Sequence, residues 1–85
     1  MTAGEIPIRV LLFGHYRELF GARSVELSLP DGARVEDILN RLRRLPELEA
    51  LPGRPAVAVN RRYVDGSCPV SDGDEIALIP PVAGG

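Results

Sequence analysis

An α+β fold, one mixed sheet crossed by one main helix, is what the 85-residue sequence predicts. Three observations carry it. Residues 6–13 are a largely apolar strand-like run, and 24–29 alternate apolar and polar with the period of a half-buried strand. Between residues 34 and 45 the spacing changes to that of an amphipathic helix. Short apolar runs then return at 56–60 and 75–79. Strands, then a helix, then strands place one helical layer on one sheet, within a single domain spanning 1–85.

Ile8, Val10 and Leu12 share one face of the first strand, and Arg9, Leu11 and Phe13 the other. Pro7 has no N–H and suits only the strand's beginning. Gly14 breaks the run. Residues 15–20 are expected to form a short helical turn at most, closed by Gly21. In Ser24–Leu29, Val25, Leu27 and Leu29 point inward, as in an antiparallel strand paired with the first. Pro30-Asp31-Gly32 turns the chain. Val35, Ile38, Leu39, Leu42 and Leu45 then form one helical stripe, acidic at its start and arginine-rich at its end, which complements the helix dipole. Arg34 cannot accept an amide hydrogen bond, so Asp31 is the expected loose N-cap. Pro46 ends the helix, and three prolines and a glycine make 46–55 a connector. Ala56–Asn60, Arg61–Val64 and Glu75–Ile79 are the remaining strands, with turns at Asp65-Gly66 and Ser71–Asp74. The first and last strands are the most apolar, so they belong at the centre, side by side. A right-handed crossover through the helix makes them parallel. That arrangement is the β-grasp, the ubiquitin-like fold.

Composition removes much chemistry. One cysteine, Cys68, permits no internal disulfide and no cysteine-rich zinc site, and His15 is the single histidine. All ten basic residues are arginine, so there is no Schiff-base lysine and no lysine phosphate clamp. The net charge of −2 argues against nucleic acid as a partner. No apolar run approaches the ~20 residues of a membrane span, and no secretory signal opens the chain; a cytoplasmic protein is expected. Asp72, Asp74 and Glu75 are too few for a calcium loop and read as a charged turn. His15 reads as a polar surface residue. Arg61 and Arg62 read as a solvated turn, and Arg17 as either a partner contact or a surface ion-pair member. Cys68 has no paired base and reads as structural.

Two features remain. One helix covers one face of a sheet, so Leu11, Phe13, Ala77 and Ile79 point to the other, with Tyr63 beside them if its strand is adjacent. Such an apolar patch marks a protein interface, unless the connector 46–55 folds beneath it. After Ile79 the chain reads Pro80-Pro81-Val82-Ala83-Gly84-Gly85. The prolines end the strand and favour an extended exit. The small residues that follow make 80–85 a thin tail of roughly 20 Å, long enough to enter a partner's pocket. Its reactive group is the α-carboxylate of Gly85.

With these residues the chain resembles the ubiquitin-like sulfur carriers, and among them the small subunit of molybdopterin synthase. The resemblance runs through the first strand to Phe13, Arg17-Glu18-Leu19, Gly21, Val57–Asn60, Asp72–Glu75 and, most diagnostically, Pro80–Gly85. It implies that the chain holds no cofactor and that an ATP-dependent, ubiquitin-activating-type adenylyltransferase adenylates Gly85. It further implies that a persulfide donor converts the adenylate to a thiocarboxylate. The tail, with Gly84 and Gly85 at its end, would then deliver sulfur to a pyranopterin precursor inside a large subunit docked on Phe13, Tyr63 and Ile79. Sulfur transfer to thiamine, cysteine or tRNA, conjugation to other proteins, and a non-covalent β-grasp binding module are the alternatives.

Overall fold

The computed structural model describes residues 4–47 and 55–80. In chain order they form β1 (Glu5–Leu12), α1 (Gly14–Phe20), β2 (Ser24–Pro30), α2 (Val35–Leu42), β3 (Ala56–Val59), β4 (Arg62–Val64) and β5 (Ile76–Ile79). The five strands lie in the order β2-β1-β5-β3-β4. β1 and β5 run parallel, with Leu11 beside Ala77 and Leu12 beside Leu78. The other pairs are antiparallel. This is the β-grasp order expected from the sequence.

Ile8, Val10, Leu12, Val25, Leu27, Leu29, Val57, Val59, Ile76 and Leu78 form one core with Val35, Ile38 and Leu42 of α2. Each fully buried aliphatic side chain contributes about 1.5–3 kcal/mol. The Leu12 N–H donates to the Arg23 carbonyl at 2.8 Å. By alternation, Pro7 and its partner Ser28 then occupy a non-bonded pair of the β1–β2 ladder. β5 reaches only Val10–Leu12 of β1, so no strand needs the missing Pro7 N–H.

Four details depart from expectation. Residues 14–20 form a seven-residue helix rather than a single turn. Tyr16 is the reason: its side chain is fully buried and holds α1 against the core, and burial raises its phenol pKa above the ordinary value. Gly21 closes α1 in the left-handed region, as expected, with its N–H donating to Arg17. β1 stops at Leu12, and Phe13 is the residue that precedes α1.

The second departure is the cap of α2. Asp31 does not supply it; the Asp31 N–H instead donates to the Gly4 carbonyl. The Arg34 N–H donates to Asp37 Oδ2 at 2.8 Å, one half of a capping box. The Val35 and Glu36 N–H groups donate to the carbonyls of Cys68 and Gly66, each at 2.9 Å. Those carbonyls satisfy donors that a helix start otherwise leaves orphaned. Their loop is tied down in turn. Asp65 Oδ1 accepts from the hydroxyl and N–H of Ser67, which holds the Asp65 carboxyl below its usual range. The Val70 N–H donates to Ala33, and Cys68 packs against the core. Third, α2 ends at Leu42; the Arg43 N–H still donates to Leu39, and the Arg44 and Leu45 N–H groups tighten onto Arg41 and Leu42, three residues back, before Pro46.

Fourth, Asn60 and Arg61 are not strand residues. They make the two-residue turn of a β3–β4 hairpin, with φ of 53° and 70°. Positive φ at both positions suits the right-handed twist of a hairpin. Asn60 also binds the 71–75 segment: its Oδ1 accepts from the Glu75 N–H at 3.0 Å, and its Nδ2 donates to Asp74 at 3.1 Å. Arg61 gains little there, since its 3.8 Å ion pair with Glu75 is mostly exposed. Left-handed backbone costs a non-glycine residue about 1–2 kcal/mol, partly offset by the unfolded-state freedom of glycine. Arg61→Gly is therefore expected to raise stability by about 0.5–1 kcal/mol, measured by urea unfolding. A lower midpoint would show that the Arg61 side chain contributes more than its geometry indicates.

Among the described residues, no helix is long and apolar enough to cross a membrane.

Candidate functional site

The sheet face away from α2 is built by strand alternation. In register across four strands lie Leu11 of β1, Ala77 of β5, Ala58 of β3 and Tyr63 of β4. One step further along β5, Ile79 sits opposite Ala56 of β3, and Phe13 follows the end of β1. Tyr63 is 72% exposed and Phe13 45%, whereas Ala58 and Ala77 are 6% and 8% exposed. The alanines are thus largely covered, and Leu11, Ile79 and Tyr63 are the larger apolar side chains of this face.

Charge borders this face. The ion pair of Arg9 with Glu26 and that of Arg61 with Glu75 each span 3.8 Å and lie in solvent. A groove lined by Pro7, Arg9, Leu11, Glu26 and Asp72–Glu75 borders it. An apolar centre with a polar rim is the anatomy of a protein interface. The connector residues 48–54, read as a possible cover for this face, lie outside the described residues, as does the tail segment Pro81, Val82, Ala83, Gly84 and Gly85.

Pro80 is the last described residue. It is half-buried, directly after β5. A Cβ placed on Gly14 would lie 3.2 Å from Pro80 Cγ, so the ring rests against a bare Cα. Three predicted positions, Phe13, Ile79 and Tyr63, thus share one face, and Pro80 adjoins it. Gly14 and Ala58 belong to the same surroundings and were not singled out by the sequence. Ala58 was legible in the alternation of β3; Gly14 read only as a strand breaker.

Among the described residues, no group of three or more His, Cys, Asp or Glu side chains is placed to hold a metal. His15 lies on the exposed side of α1, its Nδ1 3.6 Å from Glu18 Oε1. Arg17 is also exposed, beside the Gly21–Arg23 loop. Cys68 is half-buried, and its carbonyl caps α2.

The pattern is shared with known proteins. The model of the ThiS family matches residues 10–85.

The chain belongs to the ThiS family.

It is 37% identical over 82 residues to the molybdopterin synthase sulfur carrier subunit of Arabidopsis thaliana, covering 95% of this chain and 85% of that protein. Among solved structures it is similar to SAMP1, small archaeal modifier protein 1, of Haloferax volcanii, with a TM-score of 0.79 and 30% identity over 93% of this chain and 99% of that one. It is also similar to a chain in the complex of subunits 1 and 2 of molybdopterin-converting factor from Helicobacter pylori, with a TM-score of 0.68 and 26% identity over 94% of this chain and 100% of that one. The match of this ThiS-family chain spans both the apolar face and the Gly84-Gly85 end.

Proposed function

We propose that this chain is a cytoplasmic sulfur carrier, the small subunit of a molybdopterin synthase, and that Gly85 is its reactive residue. The observation that carries the reading is the meeting of two features. β5 ends at half-buried Ile79 on the apolar face opposite α2, and the next residues are Pro80-Pro81-Val82-Ala83-Gly84-Gly85. A docking surface therefore adjoins the start of a segment whose last four side chains are small. Relatives named molybdopterin synthase sulfur carrier subunit, similar over nearly the whole chain, support it.

A carboxylate is a poor electrophile. The activating enzyme lets the Gly85 carboxylate attack the α-phosphorus of ATP, releasing pyrophosphate and leaving AMP as the leaving group. The terminal sulfur of a donor persulfide attacks the acyl carbon and expels AMP. A thiol then cleaves the S–S bond and frees the thiocarboxylate. The large subunit docks on Phe13, Ile79 and Tyr63 and receives the tail, whose glycines pass where a Cβ would clash. Cationic groups for an anionic pyranopterin precursor come from that subunit.

Incubation with ATP, a sulfide source and the activating enzyme of the same cells tests this by intact-protein mass spectrometry. The expected product carries one sulfur in place of one oxygen, localised to Gly85. No gain, with the enzyme competent on another carrier, would leave a non-covalent binding module. The likeness to an archaeal modifier favours a second reading, acyl transfer from Gly85 to amines of other proteins. Amide-linked adducts in the same assay would reveal it.

Docking has its own test at Phe13. This residue occupies the α1 N-cap position with extended backbone and offers no capping side chain. Phe13→Ser removes the apolar contact and adds a cap worth about 1 kcal/mol. Binding of the large subunit is expected to weaken by about 2 kcal/mol, as for an interface anchor, while the melting temperature stays level or rises. Unchanged affinity by calorimetry would remove Phe13 from the interface.

A further inference from the structure

We infer that Gly14 is a positioning residue for the tail: its bare Cα seats the Pro80 ring and so sets the direction in which the chain leaves β5. The ideal Cβ of residue 14 falls 3.2 Å from Pro80 Cγ and 3.9 Å from Pro80 Cδ. Carbon pairs prefer about 3.5–4.0 Å, so a side chain here would press on the ring by a few tenths of an ångström. A flexible side chain would swing aside. Proline cannot, because its ring is fused to the backbone and fixes φ; any displacement passes to the main chain after Ile79.

The other side of the contact is equally stiff. The Tyr16 N–H donates to the Phe13 carbonyl at 3.2 Å across Gly14, and the Tyr16 side chain is fully buried. The first turn of α1 therefore cannot retreat. A comparison among glycines isolates the point. Gly4, Gly21, Gly32 and Gly73 also have positive φ, but nothing lies within 4 Å of their Cβ positions. At those sites backbone conformation accounts for glycine. Gly14, with φ of 54°, adds a close approach, and the approaching atom belongs to the residue that begins the tail.

The activity side of this inference rests on the sulfur-carrier reading. If Gly85 must reach an adenylation site at a set angle from a docked sheet, a small shift at Pro80 is felt at the end of the tail. Misplacement of a reacting group by an ångström can cost about a hundredfold in rate.

The test uses the full-length chain with Gly14→Asn, Pro80→Ala and the double variant. Asparagine tolerates left-handed backbone, so Gly14→Asn introduces the Cβ with little backbone strain. Pro80→Ala removes the ring without touching α1 and keeps the test open if Gly14→Asn folds poorly. Adenylation of Gly85 is followed by pyrophosphate release, and the amide resonances of Ile79 and Val82 by NMR. Gly14→Asn is expected to lower kcat about tenfold with the KM for the carrier held, because the docking face is intact. In the Pro80→Ala background the same substitution is expected to cost less than about twofold, since the ring it strikes is gone. The Ile79 and Val82 resonances should shift in Gly14→Asn and shift little further when it is added to Pro80→Ala. A wild-type kcat in Gly14→Asn, or the same loss in both backgrounds, would overturn the inference. If the unaltered chain is not adenylated at all, the sulfur-carrier reading fails instead, and the NMR comparison decides alone: unmoved Ile79 and Val82 resonances in both Gly14→Asn and Pro80→Ala would end the positioning role. If Gly14→Asn does not fold, Pro80→Ala decides in the same way, through a lowered kcat and moved resonances or through neither.

Discussion

Deletion of Gly85 alone is expected to abolish sulfur loading while leaving the fold and large-subunit binding intact. The shortened chain still ends in a glycine carboxylate, so the chemical group is conserved. What changes is its reach, by about 3.5 Å. Since a displacement of one ångström can already cost about a hundredfold, the expected loss exceeds about a thousandfold. The core that holds the domain together lies between Ile8 and Leu78, so thermal unfolding should not move. The proposed docking residues Phe13, Tyr63 and Ile79 also survive the deletion, and calorimetry against the large subunit should return the unaltered affinity. Efficient appearance of a thiocarboxylate on Gly84 would show that tail length is not read, and would weaken the case for a fitted channel.

Tyr16→Ala is expected to unfold much of the population. Tyr16 is among the largest fully buried side chains and anchors α1. Truncating a buried aromatic costs about 3–5 kcal/mol, and a domain of this size is stable by about 5–10 kcal/mol in all. Circular dichroism should show a midpoint lowered far enough that the native baseline is lost near 37 °C; a variant that melts within a few degrees of the unaltered chain would mean that α1 is held by other contacts. The same residue sets an alkaline limit. Burial raises the Tyr16 pKa above the ordinary value of 10.0, so the folded state favours the neutral phenol. Its contribution is complete below pH 10 and is lost as the pH climbs through the raised folded value. Stability should fall above pH 10, and less steeply in Tyr16→Phe.

Much of this molecule was legible in its sequence because local periodicity carries the information. Alternation along β1, β2 and β5 assigned which residues enter the core and which face outward, and the stripe from Val35 to Leu42 required one helix to cover one side of the sheet. The outward positions of Leu11, Ala77 and Ile79 followed from that pattern, whereas the chemistry proposed for Gly84-Gly85 came from the family resemblance and not from any period. Tertiary structure decided what periodicity does not encode. Tyr16 became core because α1 is folded back beside β5, although its neighbours in sequence are polar. The start of α2 needed no side-chain cap of the usual kind, because carbonyls of Cys68 and Gly66 arrive from a distant loop. Asn60 and Arg61 became a turn because β3 must reverse to pair with β4. Gly14 acquired its significance only when the parallel pairing of β1 with β5 brought the Pro80 ring against it. For Tyr16, the start of α2 and Gly14 the deciding partner is far away along the chain, and a hydrogen bond or a 3 Å approach between distant residues leaves no period in the sequence.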